Sequence, residues 1–182
     1  MKLWLILPLL ILSAGLAFAA DKFENKEAGL SVELPAGYVK ASEVPAMTVL
    51  GNTLGAWKAP NADDTGAGML VHMLDIPGGL DYDAFKKQLP DLLKSILGEN
   101  FKLLKQEDTK VEQMTGFILD FQAPSDGRLP DPNGKVVSHV RWYFFKEPDN
   151  KVLGVLYIAR DTAWKDVEPK VDESSKTLKH LQ

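Results

Sequence analysis

The sequence predicts an α+β fold: a central antiparallel β-sheet flanked by α-helices. Three observations lead there. Most of the chain after residue 20 falls into short segments that alternate apolar and polar residues and stop at Gly, Pro, Asn or Asp. Two segments, 81–98 and 161–181, change to a helical period. The order along the chain is strands, helix, strands, helix, which places helices on an antiparallel sheet and not between parallel strands.

The first nineteen residues stand apart. Lys2, the apolar run Leu3 to Leu12 and the small residues of Ala17-Phe18-Ala19 form the three regions of a secretory signal peptide, with cleavage expected after Ala19 or Ala20. The run is shorter than the roughly 20 apolar residues a bilayer span needs, and it contains Pro8. Residues 20–182 then make one domain, periplasmic or secreted, with no stable membrane insertion. There is no cysteine, so neither a disulfide nor lipid attachment through a thioether is expected, and stability must come from a core. Beyond the signal, 25 acidic residues face 20 basic ones. That balance, with no clustered Lys or Arg, disfavours nucleic acid or an anionic membrane surface as a partner.

Along the domain, GLSVELPAG (29–37) alternates Leu30, Val32 and Leu34 against Ser31 and Glu33 and ends at Pro35, a strand with one buried face. MTVLGNTLGAWK (47–58) reads as two strands about Gly51-Asn52. After the polar loop 59–66 comes a strand in AGMLVHMLDI (67–76), so four strands precede the first helix. That helix, from the N-cap Asp81 to Gly98, aligns Tyr82, Phe85, Leu89, Leu92 and Ile96, and Pro90 predicts a kink or two abutting helices.

A strand and turn in 101–113 lead to a three-stranded antiparallel meander. Its strands are TGFILDFQA (115–123), VVSHVRWYFF (136–145) and VLGVLYIA (152–159), joined by the loop 123–135 and the turn 146–151. In the last segment Trp164, Val167, Val171 and Leu178 share a helical face, and Pro169 suits the first turn of a second helix.

F-x-N-x-E-x-G-x-S-V-E-L-P-x-G-Y (23–38), the helix leading into NFKLLKQEDTKV, and TGFILDF ahead of two strands and a terminal helix resemble the PsbP-like family, named for an extrinsic subunit of photosystem II. The resemblance spans nearly the whole domain. It implies an αβα sandwich used in accessory and partner-binding proteins, with no catalytic residues to carry over. Tyr38 stands where the family usually has tryptophan.

G-x-S-x-G, H-E-x-x-H, Walker-A and dinucleotide glycine motifs are absent, so no cofactor is expected. Gly66-Ala67-Gly68 suits turn geometry better than phosphate binding. Calcium could be held by Asp63 and Asp64, or by Asp126, Asp131 and Asn133, but turn formation explains both loops more simply.

Matching the apolar faces of the meander, Phe117, Leu119 and Phe121 with Val140, Trp142 and Phe144, forces Asp120 onto the side of His139 and Arg141, with Leu156 and Ile158 expected beside them. This polar cluster reads first as a hydrogen-bonded structural set. The sharper alternatives are an acid–base pair of Asp120 and His139, or a metal held by both with His72. Trp57, Tyr38 and Tyr143 are candidate docking aromatics. The expected function is that of an exported accessory or partner-binding protein without catalysis, its partner another envelope or secreted protein. The alternatives are a carrier of a small ligand or metal, and a small acid–base enzyme.

Overall fold

The computed structural model describes residues 21–42, 51–124 and 136–181. The signal segment, Met47 to Leu50 of the expected first hairpin, and residues 125–135 of the long connection lie outside them.

Seven strands form one antiparallel sheet in the order β3-β4-β5-β9-β8-β7-β6: β3 (Val39–Lys40), β4 (Asn52–Lys58), β5 (Gly68–Asp75), β6 (Lys102–Val111), β7 (Met114–Pro124), β8 (Val137–Glu147) and β9 (Lys151–Arg160). A second sheet joins β1 (Lys22–Asn25), β2 (Leu30–Glu33) and β10 (Lys179–His180), with β2 in the middle. Among the described residues five strands precede the long helix α2 (Tyr82–Leu97), where the sequence suggested four. The loop at 59–66 also contains a single helical turn, α1 (Ala62–Thr65).

Strand alternation splits the large sheet between two cores. Phe117, Leu119 and Phe121 of β7, Val140, Trp142 and Phe144 of β8, and Leu156 and Ile158 of β9 pack in one cluster with Tyr82, Phe85, Leu89 and Leu93 of α2. On the other face Tyr143, Phe145, Val155, Tyr157 and Ala159 pack with Leu30 and Val32 of β2 and with Trp164, Val167 and Val171 of α3 (Asp161–Ser175). The layers are α2, the seven-stranded sheet, and then α3 with the small sheet.

The meander of β7, β8 and β9 is antiparallel throughout, with Phe117 opposite Phe144, Leu119 opposite Trp142 and Phe121 opposite Val140. One assignment changes. Leu156 and Ile158 pair with Trp142 and Val140, so they lie on the α2 face, and Tyr157 and Ala159 stand opposite Arg141 and His139. The cause is the parity of the turn. Three residues, Pro148, Asp149 and Asn150, separate the paired Glu147 and Lys151, and Asp149 and Asn150 both take the left-handed conformation of a type I′ turn. An even-numbered turn would have exchanged the two faces of β9.

In α2, Asp81 caps the helix through Oδ1, which accepts from Ala84 N at 2.8 Å. The buried stripe runs Tyr82, Phe85, Leu89, Leu93. Leu92 and Ile96, expected inside, are 37% and 54% exposed. Adjacent leucines at 92 and 93 give the stripe two continuations, and the packed one is Leu93.

Pro90 neither ends nor divides the helix. The carbonyl of Lys86, which loses its donor because Pro90 has no N–H, accepts instead from Gln106 Nε2 of β6 at 3.0 Å. In α3, Pro169 likewise lies inside one continuous helix and not at the start of a second. It is on the exposed side, where solvent can reach the Lys165 carbonyl that it leaves without a donor. Leu178 is buried but lies beyond the helix, in the turn before β10. Ser31, expected on an exposed face, is buried as well, between Glu24 and Lys179 on the neighbouring strands.

The Gln106 contact makes a testable claim. Gln106→Leu should cost about 1 kcal/mol in urea unfolding of the natural sequence. In a Pro90→Ala background the cost should shrink, because the backbone N–H restored by that substitution then serves the same carbonyl.

Candidate functional site: a charged clamp under the terminal helix

Asp120, His139 and Arg141 meet on the α3 face of the sheet. Asp120 lies directly opposite Arg141 in the β7–β8 ladder, and His139 is opposite Gln122, one pair further along the same face. Asp120 is 7% exposed and His139 9%. Both carboxylate oxygens of Asp120 are occupied: Oδ1 by His139 Nε2 through a short contact, and Oδ2 by Arg141 Nε at 2.9 Å and Nη2 at 2.8 Å.

Arg141 extends the set to the helix. Nη1 donates to Asp172 Oδ1 and Nη2 to Glu168 Oε1, each at 2.7 Å. Residues 168 and 172 are one helical turn apart, so one planar guanidinium reaches both carboxylates. His139 stacks flat on Trp164 of α3, with ring centroids 3.9 Å apart and planes within 1°. The guanidinium carbon of Arg141 lies 5.4 Å from the same indole. At the start of α3, Asp161 Oδ1 accepts from Gln122 Nε2 at 2.6 Å and lies 3.6 Å from His139 Nδ1.

The electrostatics follow from these contacts. Burial alone would push the Asp120 carboxyl up, but the hydrogen bonds from His139 and Arg141 outweigh it and hold the group below the ordinary carboxylate range. Burial also opposes the charge on Arg141. Its hydrogen bonds to Glu168 and Asp120 more than offset that, so its proton is held more tightly than usual.

His72 does not join this set. It projects from the opposite face of the sheet, opposite Gly154, in register with Phe144 and on the side of α2. Its Nε2 accepts from Trp142 Nε1 at 2.8 Å, and burial pushes the imidazole down to about 4, so it is neutral. Gly154 makes room for it: a Cβ there would come within 2.2 Å of His72 Nε2. The three-residue metal set is thus ruled out by strand parity. Among the described residues, no group of three or more His, Asp or Glu is arranged to hold a metal ion.

The other sequence candidates divide in the same way. Asp63 and Asp64 lie in the first turn of α1, whose last turn is capped by Gly66 in the left-handed conformation. Asp126, Asp131 and Asn133 lie outside the described residues. Tyr38 and Tyr143 are core residues and not exposed docking aromatics, while Trp57 is half-buried against Phe23 at 5.1 Å. What sequence reasoning missed is the helix side of the clamp: Asp161, Trp164, Glu168 and Asp172. The i, i+4 pair of acids on α3 was a readable signal once Arg141 was known to face it.

No protein-family model matches the chain, and no curated sequence matches it significantly. Solved structures do. The cyanobacterial PsbP protein CyanoP from Synechocystis sp. PCC 6803 is 12% identical, with a TM-score of 0.59 over 92% of this chain and 96% of that one. LpqN of Mycobacterium tuberculosis is 12% identical, with a TM-score of 0.58 over 91% of this chain and 87% of that one. The Ran-binding protein Mog1p of Saccharomyces cerevisiae is 12% identical, with a TM-score of 0.56 over 90% and 96%. The fold is PsbP-like, the one shared with Mog1 and LpqN.

Two measurements test the clamp. Asp120→Ala should lower stability by about 3 kcal/mol, because it removes the carboxylate that His139 and Arg141 share beneath α3. Since the folded-state pKa of Asp120 is depressed, its contribution is complete above the unfolded carboxylate value, near 4, and is lost as pH falls through the lower folded value. Melting temperatures measured from pH 7 to pH 2 should therefore fall less steeply for Asp120→Asn than for the natural protein. Zinc titration by calorimetry should give only heat of dilution, and His139→Ala should lower the melting temperature.

Proposed function

We propose that the protein is an exported, non-enzymatic accessory protein that acts by binding another protein of the cell envelope or exterior. The observation that carries this reading is the closure of the polar cluster. Both oxygens of Asp120 and all three guanidinium nitrogens of Arg141 are engaged, and His139 is pressed against Trp164. An acid–base pair needs one group free to meet a substrate proton, and a carrier needs a cavity among its polar groups. Asp120 and His139 instead hold a helix to a sheet, which weakens the enzyme and carrier readings together.

Export is supported by the signal-like segment ahead of β1. Among the described residues, no helix is long and apolar enough to cross a membrane. Of the similar structures, Mog1p is described as a Ran-binding protein, and LpqN as involved in cell envelope biogenesis. Those roles belong to those proteins; the first supports binding as a use to which this fold lends itself, and the second an envelope setting.

The test is photo-crosslinking in the producing cells, with a reactive residue placed in turn at exposed positions such as Lys87, Lys165, Glu173 and Lys179. A discrete adduct to one envelope protein, confined to neighbouring positions, is the expected result. Uniformly absent adducts would overturn the reading. Intact mass of the protein from the envelope fraction should show a chain beginning at Ala20 or Asp21. A full-length chain retained in the cytoplasm would refute export.

A further inference from the structure

We propose that β6 is a self-recognition edge, along which two copies of the chain pair their seven-stranded sheets antiparallel about a two-fold axis at Gln106. This goes beyond the accessory reading, because the partner is the chain itself. β6 is an outer strand ten residues long, and its side chains from Lys102 to Lys105, with Glu107, Asp108 and Lys110, are exposed. Its outward backbone groups have no strand partner among the described residues. Such an edge normally invites pairing, and lysines on it repel a strand that brings no acid of its own.

β6 brings its own acids. Lys105 and Glu107 lie two residues apart on one face of the strand and form an ion pair of 2.7 Å. With Gln106 on the axis, Lys105 of each copy stands opposite Glu107 of the other, so four alternating charges meet at the centre. The bulge between Leu103 and Lys105 then matters. It absorbs one residue at Leu104 and returns Lys102 to the face of Thr109, so that Lys102 avoids Lys110 and the ladder runs from 102 to 109 without a like-charge pair. An axis at Lys105, Glu107 or Asp108 would set a residue against its own charge. An axis at Thr109 would run into the turn at Glu112 after only a few pairs.

Sedimentation equilibrium of the purified protein should show a reversible dimer. Glu107→Lys sets four lysines together and should weaken it roughly tenfold or more, the equivalent of about 1.4 kcal/mol. The exchange Lys105→Glu with Glu107→Lys restores the alternation and should return the dissociation constant to within about threefold of the natural value. Both side chains are exposed, so unchanged melting curves would show that the variants fold. A monomer at all concentrations up to millimolar, or a dimer indifferent to Glu107→Lys, would overturn the proposal. Neither outcome bears on the crosslinking result above, which reports a different protein as partner.

Discussion

A sheet covered on both sides allows no strand a solvent face in its centre, and this constraint governs most of the molecule. Along the middle of β7, β8 and β9 each residue faces the α2 core or the α3 core, and a polar residue buried in either must bring its partners with it. Asp120, His139 and Arg141 meet that demand on one side by recruiting Gln122, Trp164 and three acids of α3. On the other side His72 meets it by staying neutral and taking the Trp142 N–H. Two histidines 67 positions apart in sequence thus settle the same problem by different means, one in an ionic network and one as a simple acceptor.

Much of this was legible before any coordinates. Period-two patterning placed the strands of the meander, and apolar matching put Asp120 on the side of His139 and Arg141, as the ladder has it. Asp81 and Gly98 bounded α2 correctly. Three kinds of information were not local and were lost. The face of β9 depended on whether the turn after Glu147 holds an odd or even number of residues, which turn-forming composition alone does not settle. The continuity of α2 through Pro90 depended on a side chain from a strand sixteen residues later, Gln106, which takes over the orphaned carbonyl. The pairing of β10 with β2 joins opposite ends of the chain, and no pattern within two residues can announce it.

The clamp also bears on how the PsbP-like fold can be reused. Its layers are set by apolar contacts spread over both faces of the sheet, which many sequences satisfy, and identities near 12% leave that plan intact. The ionic set is different in kind. Asp120 is buried and Arg141 largely buried beneath α3, and each depends on the other for a partner, while the half-exposed Glu168 and Asp172 tie the same guanidinium to the helix.

The small sheet carries a consequence for biosynthesis. Its central strand β2 is among the first parts of the domain to be made, yet it is bounded by β10 and tied to the end of α3, with Glu33 N donating to Thr177 Oγ1 and Ser174 Oγ donating to the Glu33 carbonyl. The residues that close the small sheet therefore follow the strand they cover by 141 to 144 positions. Until they are made, Leu30 and Val32 lack their full cover, and the small sheet can close only late.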